Sequence, residues 1–224
     1  MELNSIEQIS GCFNNLPKND LIFLNERKIQ VSYLKGETIF KQGAFAPHVL
    51  FVNSGLAMVY LQLGKSKQIN IHLAKQGDFI AFSSVFNKKT YQYSAISLSD
   101  STFCMIEKEA LKEVLIRNTD FSMQLTSKNN MNESRYIDII KNLSYKQMRG
   151  KLASAILYLT SDELKDYNVF NFLTRQNIAD FASITVESTV KFLKEFEKDG
   201  LIILKGKEII IKNKQELKDI DLRG

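Results

Sequence analysis

The sequence predicts an α+β chain in three parts: an N-terminal jelly-roll β-barrel over 1–119, a long helix over 120–143 that pairs with its own copy, and a C-terminal winged helix-turn-helix over 144–224. Three observations carry this. Glycine-punctuated, alternating stretches fill the first half, a helical heptad pattern follows, and near the end two capped helices in tight succession run into a β-rich hairpin.

In the first part Gly36, Gly43, Gly55, Gly64 and Gly77 separate short apolar runs between Ile29 and Glu107. The runs 48–60, 91–98 and 101–106 read as strands. In 68–73, Ile69, Ile71 and Leu73 fall on one face and Gln68, Asn70 and His72 on the other, the period-two signature of a half-buried strand. Many short strands with no intervening long helix favour an antiparallel barrel of the jelly-roll kind.

Helical signals begin at Lys108. After 108–118, Asp120 can cap a longer helix, in which Leu125, Asn129, Asn132, Tyr136, Ile139 and Leu143 alternate at spacings of four and three. That is a coiled-coil seam, and two copies of the chain are its natural occupants; the alternative is a helix packed on its own barrel. Ser144 with Gln147 forms a capping-box pattern, which predicts a new helix from Tyr145 and a domain boundary at 142–144.

The last part is the most informative. Thr174 can cap the helix TRQNIADFA, Thr185 can cap VESTVKFLKEFEKDG, and residues 182–184 form the turn between them. Ile178, Phe181, Ile184, Val190 and Leu193 are the apolar residues expected to hold the pair together. The run 201–212 then supplies two β-rich stretches around Lys205–Gly206–Lys207, a hairpin whose lysines can meet phosphate. At the start of the second helix Glu187, Ser188 and Lys191 project with no apolar partner spacing. Glu can accept from cytosine N4 and Lys can donate to guanine O6 and N7, so these side chains can address base edges in a major groove.

Whole-chain numbers set the frame. A chain of 224 residues, 44% hydrophobic and 25% charged with two prolines, has enough apolar material for two folded units. The formal charge of +5 and pI near 9.0 are compatible with a polyanionic partner without establishing one. No segment reaches the roughly 18 consecutive apolar residues of a membrane span, and the polar start argues against a signal peptide, so the expected location is the cytoplasm. Cys12 and Cys104 stand far apart and outside any CxxC pairing, which leaves a structural zinc site or a four-cysteine iron–sulfur cluster without ligands; Cys104 is expected in the core. His48 and His72 read as strand residues rather than haem ligands. No metal or other cofactor is expected.

Taken together, Leu173–Ile211, the motifs LKGETIFKQG (34–43), FVNSG (51–55) and GDFI (77–80), and the long helix resemble the Crp/Fnr family of transcription regulators along nearly the whole chain. The resemblance implies a cyclic-nucleotide-binding-like barrel, a dimerisation helix and a DNA-binding winged helix, and hence a homodimer on a near-palindromic operator in double-stranded DNA. RNA polymerase is a further partner that it allows. The family's base-reading Glu falls on Glu187, and its final recognition-helix Arg on Lys191, a point charge without the planar fork of arginine. Ser188, Val186, Thr185, Thr174, Arg175, Lys205 and Lys207 complete the expected DNA-facing set.

At the effector end the resemblance departs from the pattern. Cyclic-nucleotide-binding members carry a Glu and an Arg for ribose and phosphate where this sequence has Phe82 and Tyr93. Ser94 and Ala95 remain, but one hydroxyl does not replace a bidentate, charge-assisted contact. Cyclic AMP is therefore not the expected effector. Phe82, Ser83, Phe86, Tyr91, Tyr93 and Ser94, with Asn129 and Asn132 on the long helix, either line a pocket for a different effector or are core. A cupin-type enzyme needs clustered His and carboxylate ligands that this stretch lacks, and a regulatory ligand-binding module acting through protein–protein contacts needs no winged helix.

Overall fold

Alternating apolar residues between glycine turns fold, over Lys28–Glu107, into β1 (Lys28–Tyr33), β2 (Thr38–Phe40), β3 (His48–Ser54), β4 (Leu56–Gln62), β5 (Gln68–Lys75), β6 (Phe79–Ile80), β7 (Ser94–Ser97) and β8 (Ser101–Glu107). The computed structural model describes residues 13, 16–64, 67–86 and 89–224, with the side chains of Met131 and Asn132 set aside. Cys12 lies outside the described residues. Two four-stranded sheets, in the orders β1-β8-β3-β6 and β2-β7-β4-β5, give the expected antiparallel barrel. The chain divides into two compact units, one made of the residues up to Gln62 with His72–Ser134, the other of Leu63–Ile71 with Arg135–Gly224.

Apolar strand faces alone do not close the first unit. The helix α1 (Lys18–Asn25), which the strand-based reading did not foresee, contributes Leu21 and Leu24 to its core. There Phe51, Phe79, Phe82 and Ile106 meet Leu111 and Val114 of α2 (Lys108–Arg117) and Phe121 and Leu125 of α3 (Thr119–Ser144). The Phe13 ring stands edge-on to Phe51 with centroids 5.4 Å apart, the arrangement ring quadrupoles favour. Cys104 is buried as expected, and loss of water around it pushes its thiol up to about 11, which keeps it protonated. Gly55, between β3 and β4, has φ +90°, and a Cβ there would lie 2.1 Å from the Ser101 hydroxyl oxygen. Only glycine satisfies both limits.

Four expectations need correction. The strand 68–73 does not present a polar face: Asn70 and His72 are as buried as Ile69 and Ile71, because both faces of β5 are covered, and the Asn70 amide oxygen accepts from Gln68 at 3.0 Å. The region 91–98 is strand only over Ser94–Ser97. No capping box forms at Ser144. The α3 ladder runs through that residue, whose hydroxyl donates back to the Ile140 carbonyl at 2.7 Å, and α4 (Met148–Leu159) starts after Gln147. Lastly, Leu125 is no seam residue, since it is fully buried in the core of its own unit. Asn129 donates to the Leu125 carbonyl one turn back, and the Asn132 side chain lies outside those described. Among the described side chains the exposed large apolar residues of α3 are Met123, Tyr136, Ile137, Ile140 and Leu143, so of the expected seam Tyr136 and Leu143 face outward and Ile139 is half-buried.

The buried position of Leu125 predicts its response to truncation. Leu125→Ala should lower the unfolding free energy by about 2–5 kcal/mol through the lost contacts and the cavity left behind. A urea midpoint indistinguishable from the wild type would return Leu125 to the surface.

Candidate nucleic-acid interface

A helix leaves its first N–H groups without intrahelical partners, and the two threonines expected as caps supply them. Thr174 opens α5 (Arg175–Ala182): its hydroxyl oxygen accepts from the Asn177 N–H at 3.1 Å, while the Asn177 side chain accepts from the Thr174 N–H at 2.8 Å. Thr185 opens α6 (Val186–Lys198) and accepts from the Ser188 N–H at 3.2 Å. Between the helices Ser183 takes a left-handed conformation with φ +54°, and the Ile184 N–H closes the turn on the Ala179 carbonyl at 3.1 Å. Caps of this kind contribute about 1 kcal/mol each.

With the start of α6 fixed, its phase follows. Thr189, Leu193 and Phe196, spaced four and three apart, are fully buried against the rest of the unit, where Ile178, Ala179 and Phe181 of α5 and Leu152, Ile156 and Leu159 of α4 are also buried. Burying side chains of the size of Leu193 and Phe196 contributes about 1.5–3 kcal/mol each. Thr189 enters this apolar face by donating its hydroxyl to the Thr185 carbonyl at 2.9 Å. Of the residues expected to hold the helix pair together, Ile178, Phe181 and Leu193 do so and Ile184 is half-buried. Val190 does not, because it stands one residue past the buried Thr189 and the helix turns it outward, to 37% exposure.

Away from the core, α6 presents Glu187 and Lys191 exposed and Val186 and Ser188 half-buried. The Glu187 carboxyl is held below the usual carboxylate range by its own backbone N–H and by the Thr185 hydroxyl, so it is ionised and accepts hydrogen bonds only. Lys191 lies 4.0 Å from Glu195, an exposed pairing worth little in water, and its stem is free to extend. The hairpin follows directly. In it β9 (Ile202–Lys205) pairs antiparallel with β10 (Glu208–Ile211) in the register Lys205↔Glu208, around the turn Gly206–Lys207. The Leu204 N–H bonds the Glu197 carboxylate at 2.9 Å, and Arg175 donates to the Gly206 carbonyl at 3.3 Å, which joins the hairpin to both helices. Thr174, Lys205 and Lys207 are exposed around it.

Three elements of this unit escaped sequence reasoning: two 3-10 turns, Lys165–Tyr167 and Val169–Asn171, and the last helix. Helix α7 (Lys214–Arg223) packs Leu217 inward and is capped by Asn213, which accepts from the Glu216 N–H at 3.1 Å and donates to its carboxylate at 2.9 Å. The spacing of Asn213 and Glu216 was the available signal.

The residues marked as a possible effector pocket are placed differently. Phe82 lies in a single 3-10 turn within the core, its ring centroid 6.2 Å from Phe79 and 5.6 Å from the exposed Phe86. Tyr91 stacks on Phe40 at 4.1 Å, and burial pushes its hydroxyl up to about 12. The Tyr93 ring centroid is 5.9 Å from that of Phe40, and its hydroxyl oxygen accepts from the Ala81 N–H at 2.7 Å. Ser94 accepts from the Gln42 N–H at 3.0 Å, and Ser83 is exposed.

Two helices meeting through a tight turn, the second with a charged outward face and followed by a lysine-tipped hairpin, define a winged helix-turn-helix protein of the DNA-binding class. Comparison with known proteins makes this specific. A model of the cyclic nucleotide-binding domain matches residues 30–118, and one of the Crp-like helix-turn-helix domain matches 150–220. Electron transport regulator A of Shewanella oneidensis is 30% identical over 91% of this chain and 81% of its own length; the fumarate and nitrate reduction regulatory protein of Escherichia coli K12 is 27% identical over the same shares. The structure of FixK2 from Bradyrhizobium japonicum superposes with a TM-score of 0.74 at 18% identity, covering 87% of this chain and 97% of that one, which shows a shared fold. The chain belongs to the Crp/Fnr family. It is a DNA-binding transcription regulator and not an enzyme.

Proposed function

We propose that this regulator binds as a homodimer to a near-palindromic operator, placing its two α6 helices in successive major grooves about 34 Å apart. The observation that carries the reading is the outward face of α6, where an ionised Glu187 and an extendable Lys191 stand a turn apart on a helix whose other side is locked into the core. Glu187 would accept from a cytosine amino group and Lys191 would donate to a guanine, with Ser188 and Val186 beside them. Thr174, Arg175, Lys205 and Lys207 would meet phosphates and fix the register. The second copy would cover the exposed apolar residues of α3, Tyr136, Ile137, Ile140 and Leu143. No helix among the described residues is long and apolar enough to cross a membrane, which agrees with a cytoplasmic site of action. RNA polymerase is the partner through which such a regulator would act on transcription.

Cyclic AMP is not the effector in this reading. Where the resemblance places an arginine for the cyclic phosphate, Tyr93 commits its hydroxyl to the Ala81 backbone, and where it places a glutamate for the ribose, Phe82 is packed into the core. Neither supplies charge.

Glu187→Ala and Lys191→Ala should each weaken operator binding by about 1–3 kcal/mol and relax preference at single base pairs, while the affinity of the wild type falls steeply with salt. Unchanged affinity and preference in both variants, measured by fluorescence anisotropy, would remove α6 from the interface. Calorimetric titration of the wild type with cyclic AMP should show no heat of binding; micromolar affinity would overturn the reading of the barrel.

A further inference from the structure

The exposed residues of α6 are Glu187, Val190, Lys191, Lys194, Glu197 and Lys198, and Val190 is the one without charge. Single exposed apolar side chains are common on protein surfaces, so it is position that matters here. Val190 follows Val186 by four residues and Glu187 by three, and it adjoins Lys191, so on a helix the two valines form an apolar strip that runs alongside Glu187 and Lys191, between that charged pair and the buried face. A valine in a helix keeps essentially one χ1 rotamer, so its methyl groups are fixed before any partner arrives. On the major-groove edges of the four base pairs the hydrogen-bonding groups are matched by polar side chains, whereas the one apolar group is the C5-methyl of thymine.

We propose that Val190, with Val186 on its N-terminal side, is a specificity-determining residue that packs on a thymine C5-methyl within each half-site. The proposal rests on the reading of α6 as the helix that enters the major groove. The Val190 isopropyl group offers neither a donor to thymine O4 nor an acceptor to the amino group of a cytosine at the same place, so thymine is selected by the methyl contact alone. Glu187 and Lys191, together on the outward side of this strip, then read the neighbouring polar edges.

The test uses the full-length protein and duplexes selected by it from a random pool. Each thymine of a selected half-site is replaced in turn by deoxyuridine, which deletes the C5-methyl and nothing else, and affinity is measured for the wild type, Val190→Ala and Glu187→Ala, with thermal melts to show that each variant is folded. The wild type should lose about fourfold at one thymine position per half-site, the factor that corresponds to one methyl-sized group no longer buried. Val190→Ala should lose sensitivity at that position and keep it elsewhere. Equal methyl sensitivity of Val190→Ala and wild type, or a wild type indifferent to every thymine methyl, overturns the proposal. If Glu187→Ala weakens binding in the same experiment, the failure belongs to Val190 alone; if Glu187→Ala also binds unchanged, the reading of α6 fails with it.

Discussion

A helix with one face locked into a core has no freedom in what the other face shows, and α6 is locked both in its start and in its phase. The Thr185 cap fixes where the helix starts, and Thr189, Leu193 and Phe196 fix which side is inward. Everything that the domain can present to a groove then follows from counting around the helix. Glu187, Val190, Lys191 and Lys194 are outward because their neighbours are not. The left-handed turn at Ser183 and the bond from Ile184 to Ala179 hold α5 against this helix, and the contacts of Leu204 and Arg175 tie the hairpin to both helices. A reader helix built this way carries its side chains at fixed spacing and pays little entropy when it docks.

The barrel shows the opposite allocation of polar groups. Hydroxyls that could face a ligand are spent on the protein's own backbone: Tyr93 on Ala81, Ser94 on Gln42, with Tyr91 reaching the His48 carbonyl at 3.4 Å. The Tyr91 ring stacks on Phe40, and the half-buried Tyr93 ring tilts against it. These hydroxyls are already engaged by the protein itself, whereas an anionic ligand needs donors and a cation held open for it.

Much of this was legible in the sequence, for reasons that differ by element. Thr174 and Thr185 were readable as caps because capping is local, depending on residues three apart. The hairpin around Gly206 and the strands 48–60 were readable because turn and alternation are local as well. What was missed depends on partners distant in sequence. The polar residues of 68–73 predict an open face, yet Asn70 and His72 are buried, since alternation cannot reveal that both sides of a strand are covered. Leu125 fits a heptad as well as it fits a core, and only the neighbourhood of Phe121, Val114 and Phe51 decides between them. Val190 was assigned to the core by hydrophobicity alone, and the helix phase set by Thr189 overrules that. The α7 signal, Asn213 and Glu216 three residues apart, is local too, but it lies past the hairpin, outside the helix-turn-helix and wing pattern.

The central claim is that two copies of α6 read DNA together, and a footprint on a selected duplex tests it most directly. Hydroxyl-radical and guanine-methylation protection of the wild-type complex should show two equivalent protected regions whose centres lie about one helical turn apart, with the protected guanines in the major groove of each half-site. A single protected region, or protection confined to the minor groove, would contradict the account.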